Sequence, residues 1–535
     1  MRKLLSGTSI ALGATVALTN PAIAEDNTVV LDQINEYNDT NSLSQVNSVF
    51  QLRDVAPSDW AFDALRNLVE KYNCIVGYPD GTFRGNRPLS RYEFAAGLNA
   101  CMQQIERLIV SGGSDLDAAD ITRLRSLVQE FEVELATLGA RVDDIEGRVE
   151  FLEDNQFSTT TKLGGEVIFA LANAFGDDLA DEDPTTTDNL DSQVTLSNRV
   201  RLNFDTSFRE DGKDRLRTRL EAGSFDGILQ SDITGTDMTR LGHDADGSND
   251  ITIADLYYRF PLGQKVRAYV GTVGLDIDDI FEINNPYFES SGDGALSRFS
   301  RRNPTTLRGS EGAGVGFNYK LSDKFTFSAL YLADGGDAAD PAVKNGVFDG
   351  SHSAGAQLAF APTENIGISF SYLNMYQNNI AGDNNINLSG STSSSFAKRP
   401  FENNPTSSNN FGIEATWKAA SRLNFAGWVG YTDANNALNN DSAEIWNWAV
   451  NAALLDVGGS GNVLGLLFGQ PPKVTSNDVS GREDPDTSYL AEVQYRYKLN
   501  NNITITPGVY AVFNPDHNDD NDTIWVGAVR TTFKF

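Results

Sequence analysis

The stretch "TSYLAEVQYRYKLNNNITITPGVYAVF", Thr487–Phe513, decides the fold because its hydrophobicity alternates with a period of two on both sides of the turn "NNN". One face of the first half is apolar, with Tyr489, Ala491, Val493, Tyr495 and Tyr497. The other face is polar, with Glu492, Gln494, Arg496 and Lys498. So charged a face is not expected in a packed core. It suits the water-filled interior of a wide β-barrel whose apolar face meets lipid.

The same alternation continues back to Asn155 and defines about sixteen candidate strands. Short turns such as "EDGKD", "PLGQ" and "LSDK" alternate with long, acidic loops. Short turns at one end and long loops at the other predict a mainly β fold, a transmembrane antiparallel β-barrel over residues 157–535. The strands are predicted to begin near Thr160, Val194, Asp214, Ile251, Gln264, Gly312, Phe325, Ser353, Asn365, Phe411, Arg422, Glu444, Gly461, Thr487, Asn502 and Thr523.

The final strand, "TIWVGAVRTTFKF", ends in Phe535 and places Trp525, Val529 and Phe533 on one face. This ending resembles the closing strand that outer-membrane assembly machinery recognises.

The N-terminus has the form of a secretory signal, predicted over residues 1–24. Arg2 and Lys3 precede a short apolar stretch that ends in the small-x-small sequence Ala22-Ile23-Ala24. A membrane anchor is the alternative, but the apolar stretch is short and is interrupted by Gly7 and Gly13. Residues 25–52 then form a linker.

Residues 53–112 read as a small helix–turn–helix module. Ser58 or Asp59 is predicted to cap a first helix with an apolar stripe at Trp60, Ala64, Leu65 and Leu68. "GYPDGTF" supplies a turn. Ser90 and Glu93 have the spacing of a capping box at the start of a second helix, and "SRYE" read by itself means no more than that.

Three segments in order, "DVAPSDWAFDAL", "GYPDGTF" and "SRYEFAAGL", resemble one S-layer homology module. Ser90-Arg91-Tyr92-Glu93 stands where such modules usually have Thr-Arg-Ala-Glu. The resemblance implies binding to a peptidoglycan-linked polysaccharide in the periplasm. It assigns this site to Trp60, Gly77, Tyr78, Asp80, Ser90, Arg91 and Glu93. A single copy binds weakly unless several chains act together.

Cys74 and Cys101 are the two cysteines of the chain, and both lie in this module. In an oxidising compartment such a pair favours a disulfide. Two buried thiols are the alternative.

Residues 115–156 carry the heptad pattern of a coiled coil. "RVDDIE" and "RVEFLE" resemble a motif of trimeric coiled coils, which implies a homotrimer. A helix packed on its own domain is the alternative. The seam residues are Ile121, Leu124, Val128, Phe131, Leu135, Leu138, Val142, Ile145, Val149 and Leu152.

Arginines occupy the predicted inward positions of the early strands and would line a pore. The alternative is that these arginines simply stabilise the wall by pairing with Glu166, Asp205, Glu221 and Asp255. Both roles can hold at once. The predicted pore-lining residues are Arg199, Arg201, Arg215, Arg217, Arg219, Arg259 and Arg267.

The segment between Gly271 and Gly312 is far longer than a hairpin requires, and loops of this length are often functional. By analogy with porins, it is predicted to fold into the lumen as a constriction loop. Apposed acidic and basic groups would then set up a transverse field. These groups are Asp276, Asp278, Asp279, Glu282, Arg298, Arg301, Arg302 and Arg308.

The composition excludes several classes of function. The net charge of −31 argues against a nucleic-acid partner. Motifs for phosphate binding, nucleophilic catalysis or a metal site are not found in the sequence, so we expect no enzyme activity, no metal and no cofactor. The three histidines fall in or next to predicted loops.

The order of parts (signal, S-layer homology module, coiled coil, barrel) resembles cyanobacterial outer-membrane porins of the carbohydrate-selective porin (OprB) family. The resemblance implies a diffusion channel for small hydrophilic solutes, which include inorganic ions, iron among them, sugars and small organic molecules. Its implied partners are two further copies of the chain, peptidoglycan-linked polysaccharide and outer-membrane lipid. A structural tether or adhesin whose barrel is mainly an anchor is the alternative.

Overall fold

The computed structural model describes residues 48–59, 62–74, 82–83, 101, 104–105, 107, 160–181, 188–224, 229–243, 245, 247–379 and 386–535. The chain forms two compact units, Met1–Phe151 and Leu152–Phe535. The predicted signal, most of the linker, the coiled coil and all seven residues of the predicted polysaccharide site lie outside the described residues. Among the described residues, no helix is long and apolar enough to span a membrane.

The described part of the first unit contains a 3₁₀ turn, Val49–Gln51, and helix α1, Phe62–Arg66, which continues as a π-helical turn over Asn67–Lys71. Its core is built from Val49, Leu52, Phe62, Leu65 and Val69. Glu70 ties the turn to the helix, since its carboxylate accepts hydrogen bonds from Ser48 Oγ at 2.6 Å and from the amide of Val49 at 3.2 Å.

The described residues test part of the prediction for this first helix. The Asp59 carboxylate accepts from the amide of Ala56 at 2.8 Å and so closes the preceding turn. The helix begins at Phe62, and its buried residues Phe62, Leu65 and Val69 have helical spacing. Leu68, predicted in the stripe, is half-buried.

Cys74 and Cys101 form a disulfide with their Cα atoms 4.5 Å apart. The amide of Cys74 also donates to the carbonyl of Leu68 at 3.0 Å and so extends the hydrogen bonds at the end of the helical segment.

The second unit is a closed barrel of sixteen antiparallel strands in which each strand pairs with its sequence neighbours and β1 pairs with β16. The predicted strand number is confirmed. The strands are β1 Thr161–Phe175, β2 Thr195–Thr206, β3 Arg215–Gly223, β4 Thr252–Leu262, β5 Val266–Leu275, β6 Gly312–Lys320, β7 Phe325–Asp334, β8 His352–Thr363, β9 Ile366–Gln377, β10 Thr406–Ala420, β11 Leu423–Asn436, β12 Ser442–Leu455, β13 Val463–Asn477, β14 Tyr489–Lys498, β15 Ile503–Phe513 and β16 Ile524–Lys534.

Strand β10 differs most from its prediction, because it begins at Thr406 rather than near Phe411. Its first residues, "TSSNN", show no apolar alternation. Thr406, Ser408 and Asn410 are nevertheless fully buried. The amide group of Asn410 donates to the carbonyl of Leu373 at 3.0 Å, so a polar strand end is stabilised by hydrogen bonds instead of apolar contact.

The two ends of the barrel differ, as predicted. The short-turn end carries the connections 207–214, 263–265, 321–324, 364–365, 421–422, 456–462 and 499–502. The long-loop end carries 176–194, 224–251, 276–311, 335–351, 378–405, 437–441, 478–488 and 514–523. Segment 437–441 is the exception there, since it is a tight turn. The loops contain short helices α2 Ser231–Thr234, α3 Ile277–Ile280, α4 Gly335–Ala338, α5 Gly346–Asp349 and α6 Ser395–Lys398, and 3₁₀ turns Asp237–Thr239, Phe299–Arg301 and Pro515–His517.

The outer wall is apolar and carries exposed side chains such as Phe169, Leu171, Phe370, Ile413 and Val450. Ring pairs such as Trp417–Phe425 and Tyr431–Trp446 lie at its two ends. Apolar bands between aromatic girdles are typical of barrels in a lipid bilayer.

The C-terminal residue completes the closure of the barrel. The amide of Gly165 donates to the carbonyl of Phe535 at 2.7 Å, and the amide of Phe535 donates back at 3.1 Å. A side chain at Gly165 would collide with the Phe535 ring.

The interior is much less open than the charged strand faces predict. An apolar cluster forms where loop residues Leu229, Met238 and Leu241 pack on inward residues of β14–β16 and β1, such as Leu490 and Val526. A second cluster joins loop residues Leu388, Ala397 and Phe401 to β11–β13. The prediction of an open lumen along β14 is therefore wrong for Glu492 and Gln494, which are each 3% exposed.

Candidate functional site

The inward face of β2–β5 carries a ladder of arginines. Strand pairing places Arg201 beside Glu221, Arg217 beside Tyr257 and Arg259 beside Tyr269 on the inward face. Residues such as Leu216 and Tyr258 lie on the outward face. The register thus turns all seven predicted arginines inward: Arg199, Arg201, Arg215, Arg217, Arg219, Arg259 and Arg267.

Most of these arginines are paired with acidic neighbours in the wall. Arg217 donates to both oxygens of Asp205 at 2.8 Å, and Arg219 lies 2.9 Å from Asp255. Arg199 lies 2.8 Å from Glu166, and Arg201 pairs with Glu221. Arg259 and Arg267 form no ion pair with any described residue. The wall is therefore a mixed ladder of charge with a small excess of cations near the short-turn end.

The connection between β5 and β6, residues 276–311, lies inside the barrel, and we call it the constriction loop. Buried charges of distant strands hold it. Arg530 on β16 donates to the carbonyls of Ser291 at 3.1 Å and Ala295 at 3.2 Å. Glu492 on β14 accepts from the amides of Leu296 at 2.7 Å and Ser297 at 3.1 Å.

Strand β10 supplies a third attachment for the same loop. Glu414 accepts from Thr306 Oγ1 at 3.0 Å. Since Arg530, Glu492 and Glu414 are each no more than 3% exposed, these contacts satisfy charges that would otherwise be costly to bury. The alternation of β14 predicts that Glu492 faces inward, but the partners of these three residues have no signature in the sequence.

The acidic and basic parts of the constriction loop fold against each other. Asp278 forms an ion pair with Arg302 of the same loop. Asp279 accepts from Tyr257 Oη at 2.9 Å, and Tyr257 in turn accepts from Arg215 at 2.7 Å, which connects loop and wall. Of the groups predicted to set up a transverse field, Asp278 and Arg302 thus pair with each other within the loop.

Three polar cavities lined by described residues lie beside this loop. The central chamber, of about 640 Å³, lies between the loop and the wall of β1–β4 and is lined by Arg201, Arg217, Arg219, Asp255 and Asp278 among others. A lower cavity of about 380 Å³ includes Arg267 and Thr326 near the short-turn end. An upper cavity of about 350 Å³ includes Asp334 and Gln377 near the long-loop end.

The three cavities share lining residues and so follow one another through the barrel. The lower cavity and the central chamber share Asp278, Asp279, Ile283 and Glu289. The central chamber and the upper cavity share Arg298, Arg308 and Glu311. The residues that the cavities share all belong to the constriction loop.

Two ionisable residues of the chamber lining are not indicated by the sequence. Burial, with Asp278 and Glu282 nearby, raises the pKa of Glu289 to about 7. Burial together with Asp278 also raises the pKa of Glu311 to about 7. Both lie in the constriction loop, where no periodicity indicates which side chains reach the chamber. Glu282, which was predicted for the constriction, lines the lower cavity.

Comparisons with known proteins agree with this architecture. Residues 118–535 match the family described as "Carbohydrate-selective porin, OprB family", and residues 51–95 match the S-layer homology domain. The uncharacterized protein sll0772 of Synechocystis sp. is 39% identical over 99% of this chain and 100% of its own length. The uncharacterized protein alr4550 of Nostoc sp. is 39% identical over 96% of this chain and 90% of its own length.

Other matches cover less of the chain or rest on shape alone. Outer membrane protein SlpA of Thermus thermophilus is 39% identical over 19% of this chain and 12% of its own length. The structure of Pseudomonas putida OprB superposes with a TM-score of 0.49 at 10% identity, covering 73% of this chain and 97% of the other.

The family match, the closed barrel and the SlpA relatives locate the chain in the outer membrane and point to a channel rather than an enzyme. Because the family match spans most of the sequence and two relatives align over nearly its whole length, the chain belongs to the carbohydrate-selective porin, OprB family.

Proposed function

We propose that this porin forms a narrow, water-filled diffusion channel for small hydrophilic solutes. The observation that carries this proposal is the series of three polar cavities that share lining residues along the constriction loop. Apolar solutes would lose hydration there without gaining apolar contact. Small ions and polar molecules would exchange water for charged and hydrogen-bonding groups.

The chamber lining favours inorganic ions, iron among them, over sugars as the main solutes, although sugars and other small organic molecules remain within the proposal. Among the described residues, eight arginines and seven carboxylates line the chamber, and none of the lining residues has an aromatic ring against which a sugar could stack. The family description names carbohydrate selectivity, so the relative rates for sugars and ions decide this point.

The experiment is osmotic swelling of liposomes that contain the purified full-length protein. We expect swelling rates that fall steeply with solute size and exceed those of liposomes without protein. The alternative is a structural tether or adhesin whose barrel is mainly an anchor. It predicts no solute uptake above that of protein-free liposomes.

We further propose that the N-terminal module tethers the barrel to peptidoglycan-linked polysaccharide through Trp60, Gly77, Tyr78, Asp80, Ser90, Arg91 and Glu93. The S-layer homology match at residues 51–95 supports this assignment. Deletion of residues 54–103 should abolish co-sedimentation with peptidoglycan sacculi but preserve solute uptake. Binding that survives the deletion would exclude the module as the tether.

The proposed assembly is a homotrimer joined by the heptad seam of residues 115–156. Three modules on one particle would compensate for the weak binding of a single copy. The mass of the detergent-solubilised full-length protein, measured by light scattering, should equal three chains.

A further inference from the structure

Four arginines of the constriction loop converge where the central chamber meets the upper cavity. Arg298, Arg301, Arg302 and Arg308 all line the chamber, and Arg298 and Arg308 also line the upper cavity. They belong to the loop itself and are distinct from the arginine ladder of the wall. A solute that moves between these two cavities passes beside them.

The positive charge of this cluster is only partly compensated by ion pairs. Arg302 pairs with Asp278. Arg301 donates instead to the carbonyls of Glu289 at 2.8 Å and Gly242 at 3.0 Å. Arg308 donates to the carbonyl of Arg298 at 3.0 Å. Within the described residues, neither Arg301 nor Arg308 forms an ion pair.

Arg308 has unused hydrogen-bonding capacity at this junction. The residue is 3% exposed, yet its Nε has no hydrogen-bond partner in the part of the chain that the structure describes. Its stem packs against Gly390, whose φ of +59° and contact with Arg308 leave no room for a side chain. Burial and the repulsion of Arg298, Arg302 and Arg301 lower the pKa of Arg308.

The acidic groups nearby are engaged elsewhere or carry reduced charge. Glu311 accepts from the amide of Ile277 at 3.0 Å. Asp276 and Asp279 form the capping box of helix α3. Burial raises the pKa of Asp276 well above its ordinary value and that of Glu311 to about 7. These carboxyls therefore cancel less of the arginine charge than their number suggests.

We propose that the cluster Arg298–Arg301–Arg302–Arg308 is a binding site for small inorganic oxyanions, which occupy it during passage. Guanidinium groups present forked donors that match the oxygens of sulfate or phosphate. The part of this inference that concerns passage of the ion rests on the proposed channel function. The binding itself does not, because the residues form the cluster whether or not solutes cross. Affinity in the millimolar range is expected, since a channel site must also release its ion.

The test is calorimetric titration of sulfate into detergent-solubilised full-length protein at low ionic strength. We expect saturable binding by the wild type and about a tenfold weaker affinity for Arg308→Gln, the loss of one charge-assisted contact. Arg209→Gln is the matched control, because Arg209 is an exposed arginine of the turn 207–214 that pairs with Asp211. Its affinity should equal that of the wild type.

Equal sulfate affinity in the wild type and Arg308→Gln, or no saturable binding by the wild type, would overturn the site. Arg298→Gln repeats the test at a half-buried position and covers the case in which Arg308→Gln does not fold. Sulfate-dependent block of chloride current in planar bilayers separates the two proposals. Sulfate binding without current would contradict the channel but support the site, whereas current without sulfate binding would contradict the site alone.

Discussion

Arg217 and Asp205 show how single residues set the charge of the channel wall. Their two hydrogen bonds of 2.8 Å fix the guanidinium in place, yet Arg217 still lines the central chamber. Pairing and lining the chamber are therefore compatible. A paired arginine and its carboxylate contribute together to the electric field in the chamber. Removing the arginine leaves the negative charge of the carboxylate uncompensated.

This pairing gives the first prediction. Replacing Arg215, Arg217 and Arg219 by Ser leaves Asp205 and Asp255 without their cationic partners. The reversal potential in a salt gradient should shift toward cation selectivity, because the chamber is too narrow for full screening at a Debye length of ~10 Å in 0.1 M salt.

The control for that prediction is Lys213→Ser, a substitution in the exposed turn 207–214. It should leave the reversal potential unchanged. If the triple variant kept the wild-type reversal potential, the current would not pass along this wall.

The second prediction concerns pH. Glu289 and Glu311 have pKa values raised to about 7, so they are largely neutral below that pH and ionise above it. Raising the pH from 6 to 8 should therefore add negative charge to the chamber and move the reversal potential toward cations. The double variant Glu289→Gln/Glu311→Gln should show a clearly smaller shift over the same pH range, with the raised pKa of Asp276 left to supply the remainder. Glu210→Gln, in the exposed turn, should retain the full shift.

At the residue scale, the sequence predicts what lies on strands better than what lies on loops. The period of two predicts that Arg199 and Arg217 face inward, and the strand pairing agrees. The same period places their acidic partners Glu166 and Asp205 on that face. The sequence pattern does not indicate that Glu289 and Glu311 line the chamber. Their side chains reach the chamber through loop backbone that follows no repeating geometry.

Among the elements, the constriction loop depends most on distant strands. Arg530, Glu492 and Glu414 come from β16, β14 and β10, and each bonds to a different part of residues 291–306. A loop held at three such points should behave as a fixed part of the wall rather than as a gate.

The third prediction tests this attachment. Arg530→Met removes the donors to the carbonyls of Ser291, Gly294 and Ala295. We expect the variant to unfold about 2–4 kcal/mol more easily in a denaturant titration, because those buried carbonyls lose their partner. Its single-channel current should also fluctuate more, since the loop is less constrained.

Arg422→Met is the comparison for that variant, because Arg422 is an exposed residue of the turn 421–422. It should match the wild type in both measurements. A steady, wild-type current from Arg530→Met would show that the loop does not need this attachment.

At the element scale, prediction succeeded where the alternation was strong. Apart from β10, every strand begins within about two residues of its predicted start, because apolar alternation directly reflects a wall with one lipid-facing side. The predicted start of β10 is wrong because the first residues of this strand are polar on both faces. Buried Ser408 and Asn410 meet other polar groups there, and a hydrophobicity pattern does not record such contacts.

On the largest scale, the second unit is a barrel whose lumen is largely occupied by its own loops. The sequence predicts the barrel and its wide, polar interior. The filling was not predicted, because it arises from packing between segments far apart in the chain, such as Met238 against the inner side of β16. Polar cavities remain beside the constriction loop, and we propose that they form a narrow path for solutes.

That path is the central claim, and blocking it chemically is the most direct test. Ser290 is an exposed side chain of the central chamber. The native cysteines are joined in a disulfide, so Ser290→Cys supplies a single reactive thiol. Ser322→Cys, in the exposed turn 321–324, is the control for modification away from the path. Planar-bilayer current should fall sharply when a bulky thiol reagent modifies Ser290→Cys and stay constant for modified Ser322→Cys. An unchanged current through protein that mass spectrometry shows to be fully modified at Ser290→Cys would contradict the account.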